Sequence, residues 1–141
     1  MSVLYTAEAL ATGDGRNGHG RTSDGRLDLD FAAPKELGGS GDGTNPEQLF
    51  ALGYAACYHN ALRRVAKEAG ADVTDSTVGA RVSLVPGQGN VRFALAVELE
   101  VSLPHADHET AQKAADLAHQ LCPYSNATRG NIEVTITVTD D

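Results

Sequence analysis

The sequence predicts an α+β fold of mainly antiparallel sheets packed on two central helices. Stretches in which apolar and polar residues alternate are typical of half-buried strands, and two long segments carry the composition and the start and stop signals of helices. Their order along the chain is strands, helix, strands, helix, strand, which favours an α+β class. A chain of 141 residues is long enough to bury a core. We therefore expect a single domain over residues 1–141.

The N-terminal strands are predicted from alternation and from a turn signal. Leucine or phenylalanine alternates with aspartate from Leu27 to Phe31, which is the period of a strand with one buried face. The polar, glycine-containing stretch 23–26 predicts a hairpin turn directly before it. Residues 3–11 are the expected partner strand.

The first helix has a clear start. Asn45 is a suitable N-cap, Pro46 suits the first helical position, and Gln48 stands where a capping box requires it. The helix is predicted to run to about Ala69. Residues 49–57 carry no charge, so we expect this half of the helix to be buried on every side.

The rest of the chain predicts three strands and a second helix. Residues 81–85 form a strand, and residues 86–90 turn the chain into a long, regularly alternating strand over 91–103. An alanine-rich helix is expected over 106–122, and the last strand over 132–138.

Composition excludes several functional classes. The net charge is −8, and no lysine or arginine cluster is larger than Arg63-Arg64, so nucleic acid and anionic membranes are poor candidate partners. No apolar stretch is long enough to span a bilayer. Residues 1–5 lack the features of a secretory signal. We expect a cytoplasmic protein, in which a disulfide is usually transient and catalytic.

The chain has two cysteines in unlike surroundings. Cys57 lies in the uncharged run of the first helix, where burial would make it an inert, space-filling thiol. It can act as a nucleophile only if a cation stabilises its thiolate, because a thiol with a pKa of about 8.5 is only about 3% ionised at pH 7. A desolvated arginine is suited to this task. The sequence pattern leaves both interpretations open.

Cys122 has a different setting. Pro123 disfavours helix at the residue before it, so Cys122 is expected to end the second helix, where the negative end of the helix dipole disfavours a thiolate. It is therefore the better resolving thiol. A metal site is the alternative, since His119 and Cys122 share a helix face. Cys57 and His59, two residues apart, cannot face one ion together.

Three motifs carry a resemblance to a known family. They read GTNPEQLF at 43–50, GYAAC at 53–57 and CPYSNATRGNI at 122–132. With these motifs the chain resembles the organic hydroperoxide resistance proteins of the OsmC-like superfamily, and the resemblance covers essentially its whole length. It implies the OsmC-like fold and an intertwined homodimer with its sites at the subunit interface.

The resemblance also implies a thiol peroxidase that needs no cofactor and no metal. Cys57 would be the peroxidatic cysteine and Cys122 the resolving one. Arg16, in the stretch DGRNG at 14–18, matches the arginine that binds the thiolate in the family, and Glu47 matches the carboxylate that pairs with it. Arg129 is the alternative thiolate partner.

The implied substrates are alkyl and fatty-acid hydroperoxides, and an apolar pocket that includes Phe50 and Tyr54 would favour them over hydrogen peroxide. The family resemblance implies a dithiol reductant on a lipoylated protein. The competing hypothesis from another class is a non-catalytic stress or small-ligand-binding protein, in which the two cysteines are merely packed.

Overall fold

The computed structural model describes residues 2–139, which contain strands and helices in the predicted order. The chain divides into two compact units, one extending to Leu49 and one beginning at Phe50. The first helix, α1, spans Pro46–Glu68 and so begins in the first unit and continues into the second.

The first unit contains a three-stranded antiparallel sheet. Its strands are β1 (Ala9–Thr12), β2 (His19–Thr22) and β3 (Asp28–Asp30), and they pair in the order β1-β2-β3. A 3₁₀ turn over Gly15–Asn17 joins β1 to β2. A second 3₁₀ turn, Lys35–Leu37, follows β3.

The predicted pairing of these strands was wrong. The turn after Thr22 connects β2 to β3, and residues 9–12 pair with β2 instead of β3. Only the end of the predicted 3–11 strand is a strand. Strand β2 reads His-Gly-Arg-Thr and contains no apolar side chain, so alternation of apolar residues could not reveal it.

The start of α1 confirms the predicted cap. The backbone N–H of Gln48 donates to Asn45 Oδ1 over 2.9 Å, which satisfies one of the free N–H groups of the first turn. The Gln48 side chain does not close a capping box, because its Oε1 accepts a hydrogen bond from the Thr44 hydroxyl over 2.8 Å. The helix ends at Glu68, one residue before the predicted end.

Burial of α1 on every side is not observed in the single chain. Tyr54 and Tyr58 are fully buried, but Leu52 is 68% exposed and Ala56 is also exposed. One face of the uncharged run therefore packs into the core and another is open in the single chain.

The second unit contains a mixed three-stranded sheet in the order β4-β5-β6. Strands β4 (Thr77–Pro86) and β5 (Phe93–Ser102) are antiparallel, whereas β6 (Glu133–Val138) runs parallel to β5. The crossover between β5 and β6 carries the helices α2 (His108–Leu121) and α3 (Pro123–Thr128). Helix α3 was not predicted.

The core of the second unit lies between the sheet and the helices α1 and α2. It is formed by one face of β5, the inner faces of the two helices and Cys122; its most buried members are Tyr54, Tyr58, Leu62, Ala66, Val97, Leu99, Val101, Ala115 and Ala118. The alanines on the inner face of α2 are buried, whereas Leu121 at its end is 44% exposed. Within residues 2–139, no helix combines the length and the apolar character needed to cross a bilayer.

Candidate active site

The two thiols lie together in the second unit. Cys57 is half-buried on α1, Cys122 is fully buried where α2 ends, and both are free. Their Sγ atoms are 3.4 Å apart. A disulfide requires about 2.05 Å, so a shift of little more than 1 Å would join them. The hypothesis that the two cysteines can react with each other is therefore sterically sound.

The backbone at Cys122 explains how its thiol is presented. Cys122 has extended backbone angles (φ −66°, ψ 123°) and is both the C-cap of α2 and the N-cap of α3. Pro123 imposes this break, because it disfavours helical angles at the preceding residue, and it then occupies the first position of α3. The sequence-based prediction that Cys122 ends the second helix is confirmed.

The start of α3 directs backbone donors at both sulfur atoms. The N–H of Ser125 donates to Cys122 Sγ over 3.5 Å, and the N–H of Tyr124 interacts with Cys57 and lowers the pKa of its thiol. The sequence predicted that Cys122 meets only the negative end of a helix dipole. That prediction was incomplete, because the same residue also begins a new helix, whose first N–H groups are positive.

The groups around Cys57 nevertheless favour the neutral thiol. Burial raises the pKa of Cys57, the Tyr124 N–H opposes this effect in part, and the hydrogen bond with Cys122 raises the pKa further. Since only the thiolate is the nucleophile, a reactive Cys57 requires a cation besides these groups.

The first unit contains an arginine that is held in place by a carboxylate. Arg16 Nη1 and Nη2 donate to Glu47 Oε2 and Oε1 over 2.8 Å and 2.7 Å, which is the bidentate geometry of strong guanidinium–carboxylate pairs. The hydrogen bond with Glu47 raises the pKa of Arg16, and the one with Arg16 lowers the pKa of Glu47. The Arg16 side chain is 43% exposed, so it remains accessible to a further anion.

The loop that carries Arg16 is closed by tight backbone contacts. Gly13 has a φ of +78°, and a Cβ on Gly18 would lie 2.1 Å from the carbonyl oxygen of Thr12, so neither position accepts a larger residue without distortion. Asn17 Oδ1 accepts a hydrogen bond from the N–H of Ala33 over 3.1 Å. These contacts fix the 3₁₀ turn in which Arg16 lies.

Arg129, the alternative thiolate partner, has another role in the structure. Its Nη2 donates to the carbonyl oxygen of His119 over 2.5 Å. This bond satisfies one of the free carbonyl groups in the last turn of α2. The contact favours a structural role for Arg129 at the helix end.

Three aromatic residues that lie near the two cysteines in the sequence pack their rings against one another. The ring centroids of Phe50 and Tyr54 are 6.1 Å apart, and Tyr124 lies 6.1 Å from Phe50 and 5.7 Å from Tyr54. The sequence identified Phe50 and Tyr54 as pocket residues but missed Tyr124, which is 40% exposed. A Cβ on Gly53 would approach the Tyr124 hydroxyl oxygen to 2.9 Å; glycine therefore permits this close packing.

The two histidines near the cysteines in sequence have protein partners. His59 Nε2 lies 2.9 Å from Ser76 Oγ, and His119 Nδ1 lies 2.9 Å from Ser125 Oγ. Burial lowers the pKa of both imidazoles. Among residues 2–139, no three His, Cys, Asp or Glu side chains converge as metal ligands would.

The comparisons with known proteins first define the class. Residues 39–137 match the family model described as OsmC-like protein. This is most of the second unit and the end of the first, and it includes both cysteines and Glu47.

The relatives then identify the group within that class. An organic hydroperoxide resistance protein from Xanthomonas axonopodis pv. citri is 51% identical, over 96% of this chain and 95% of the relative. OhrB of Bacillus subtilis is 46% identical, over 94% of this chain and 96% of its own length. The chain belongs to the organic hydroperoxide resistance proteins of the OsmC-like family.

Solved structures confirm the predicted α+β, OsmC-like fold. The crystal structure of an organic hydroperoxide resistance protein from Elizabethkingia anophelis has a TM-score of 0.92 and 48% identity, over 100% of both chains. A Legionella pneumophila protein of the same description has a TM-score of 0.92 and 46% identity, over 98% of this chain and 99% of that chain.

Proposed function

We propose that this protein reduces organic hydroperoxides to alcohols by a cysteine-based peroxidase cycle. The observation that carries the proposal is the 3.4 Å separation of the Cys57 and Cys122 sulfur atoms, both of them free thiols. The names of its relatives, which describe resistance to organic hydroperoxides, support this role.

In the first step the Cys57 thiolate attacks the outer oxygen of R–O–OH. The O–O bond breaks, and the alkoxide takes up a proton and leaves as the alcohol. Cys57 becomes a sulfenic acid, so its sulfur is oxidised by two electrons. Cys57 is half-buried on the helix that carries Phe50 and Tyr54, whose rings pack with that of Tyr124. This apolar setting favours peroxides with an apolar alkyl chain.

In the second step Cys122 attacks the sulfenic acid. A Cys57–Cys122 disulfide forms, and the hydroxyl group leaves as water with the proton of the Cys122 thiol. An external dithiol then reduces the disulfide by exchange and becomes a disulfide itself. The family resemblance indicates a lipoylated protein as this reductant, and we place the cycle in the cytoplasm, where disulfides are usually transient.

Arg16 is the proposed cation for the Cys57 thiolate, with Glu47 fixing the guanidinium fork. The family resemblance implies a homodimer with its sites at the subunit interface, and this favours a site in which the Arg16–Glu47 pair of one copy meets Cys57 of a second copy.

A homodimer would also cover apolar surface that the single chain exposes. Leu4 is 100% exposed, Tyr5 80% and Leu52 68%. Large apolar side chains exposed to this degree are covered at low cost by a second copy, since burying apolar surface is favourable. Light scattering that shows a stable monomer would contradict the dimer.

A thiol titration tests the proposed function. The reduced protein is mixed with one equivalent of an alkyl hydroperoxide, and free thiols and alcohol are measured. The peroxidase loses both thiols per chain and releases one equivalent of alcohol. A non-catalytic binding protein loses neither thiol, and that result would refute the proposal.

A further inference from the structure

Ser125 lies at the centre of a buried hydrogen-bond cluster beside the resolving cysteine. Its Oγ is 2.8 Å from the Tyr54 hydroxyl oxygen and 2.9 Å from His119 Nδ1, and its side chain is fully buried. Tyr54 belongs to α1, His119 to α2 and Ser125 to α3. One hydroxyl therefore connects all three helices at the point where the two cysteines meet.

Thr128 completes the cluster. Its hydroxyl donates to the carbonyl oxygen of Ser125 over 3.2 Å, and its Oγ1 lies 3.1 Å from the Tyr54 hydroxyl oxygen. Thr128 is 5% exposed and Tyr54 0%. Because buried polar groups are costly unless they are paired, such a cluster has one favoured arrangement and resists distortion.

The cluster reaches the reacting sulfur through the backbone of Ser125. The Ser125 N–H donates to Cys122 Sγ over 3.5 Å, while the Cys122 N–H donates to the carbonyl oxygen of Ala118 over 2.9 Å. The Cys122 carbonyl oxygen accepts from the N–H of Asn126 over 3.0 Å. Cys122 is thus held on both sides of its Cα, and its Sγ has a fixed direction.

This direction matters for the fate of a sulfenic acid. Once Cys57 is oxidised, either Cys122 captures it or a second peroxide converts it to a sulfinic acid, which is usually irreversible. The first outcome prevails when the second sulfur is already oriented near the first, because orientation raises the effective concentration of an intramolecular reactant.

We propose that Ser125 is a positioning residue for the resolving thiol. Its hydroxyl, anchored by Tyr54 and His119, holds the junction of α2 and α3 so that Cys122 Sγ faces Cys57 before any oxidation. The consequence for peroxide turnover rests on the proposed function, but the effect on disulfide formation does not.

The test uses Ser125→Ala and Tyr54→Phe in the full-length protein. The matched control is Tyr58→Phe, which also removes a buried tyrosine hydroxyl from α1. That hydroxyl donates to the carbonyl oxygen of Ala115 on α2 over 2.7 Å and takes no part in the Ser125 cluster. All three variants lose one or more buried hydrogen bonds, so each is expected to be less stable than the parent.

The first readout is the equilibrium between dithiol and disulfide in glutathione redox buffers. The two forms are quantified by mass spectrometry after the free thiols have been alkylated. Ser125→Ala and Tyr54→Phe should lower the effective concentration of the thiol pair about tenfold, and Tyr58→Phe should leave it within about twofold. If the three variants and the parent have the same effective concentration of the thiol pair, the proposal is overturned. A residue with only a structural role would change the stability of the protein and leave this concentration unchanged.

The second readout is the ratio of disulfide to Cys57 sulfinic acid after exposure to excess alkyl hydroperoxide. The ratio should fall in Ser125→Ala relative to the parent and to Tyr58→Phe. If the parent protein does not react with peroxide at all, the proposed function fails, and the glutathione equilibrium still decides the role of Ser125.

Discussion

The Sγ atom of Cys122 lies 3.4 Å from that of Cys57, although 65 residues separate the two cysteines in the sequence. The contact is made by the C-cap residue of α2 and a residue in the middle of α1. It is present with both thiols free, so disulfide formation requires no large rearrangement of the second unit. The two cysteines nevertheless have separate predicted roles, which variants can distinguish.

Substitution of Cys57 by serine should abolish peroxide turnover. A hydroxyl is a far weaker nucleophile than a thiolate at neutral pH, and Cys122 is fully buried and so a poor replacement. The measurement is the rate of alcohol formation from an alkyl hydroperoxide with excess dithiol. Unchanged turnover would remove Cys57 from the mechanism.

Substitution of Cys122 by serine should allow one turnover and no more, because the variant lacks the thiol that forms the disulfide with oxidised Cys57. The variant releases about one equivalent of alcohol per chain, because the first step does not involve Cys122. A sulfenic acid should then be trapped at Cys57 by dimedone and detected by mass. If this variant cycles like the parent with the same dithiol, Cys122 is not the resolving thiol.

The sequence predicted helix α1 and strand β5 well, whereas the strand predicted over 81–85 covers only half of β4 (Thr77–Pro86). Helix α1 was predicted from the Asn45 cap and an uninterrupted helical composition, and its observed bounds differ by one residue at the end. Strand β5 was predicted from regular alternation, and its buried residues are indeed Val97, Leu99 and Val101. Both signals are local, so one sequence is enough to reveal them.

Short and long-range features were missed for physical reasons. Strand β2 has no apolar side chain, and α3 is a six-residue helix whose start is shared with the end of α2. The contacts of Tyr124 with Phe50, and of Ser125 with Tyr54, join residues far apart in the chain. Only the fold brings them together, so no spacing in the sequence indicates them.

Arg16→Ala should raise the pKa of Cys57 and slow its oxidation. A thiol without a stabilising cation is mostly neutral at pH 7, and each pKa unit by which Arg16 lowers the pKa of Cys57 is worth about tenfold in the thiolate fraction, so loss of the cation should slow oxidation by at least about tenfold. The measurement is the pH dependence of the single-turnover rate, whose midpoint should move to higher pH. Arg129→Ala is the control, since Arg129 is bonded to His119 and should not move the midpoint. The opposite result would make Arg129 the thiolate partner.

A heterodimer experiment tests whether each site combines two copies. Chains with Cys57→Ser and chains with Arg16→Ala are co-expressed with different tags, and the mixed dimer is purified. If Arg16 of one copy serves Cys57 of the other, the mixed dimer contains one intact site and regains activity, whereas each parent homodimer is impaired. A mixed dimer no more active than Arg16→Ala alone would place both residues of a site in the same chain.

His19 should make stability depend on pH. Its Nδ1 lies 2.7 Å from Asp30 Oδ1, and its Nε2 is bonded to Asp28, so both ring nitrogens have carboxylate partners and the imidazolium is favoured. The hydrogen bond with Asp30, and then that with Asp28, raises the pKa of His19 above the ordinary value of 6.5. A raised folded-state pKa gives a stabilisation that is complete below pH 6.5 and is lost as the pH rises through the raised value.

The comparison of the parent with His19→Gln isolates this effect. The difference in Tm between them should be largest near about pH 5.5 and shrink toward about pH 8.5, because only the parent gains from a protonated ring. His59→Gln is the control of opposite sign: burial lowers the pKa of His59, so the parent loses stability relative to that variant as the pH falls. A Tm difference for His19→Gln that is flat over this range would show that the ring is not held as an imidazolium between the two aspartates.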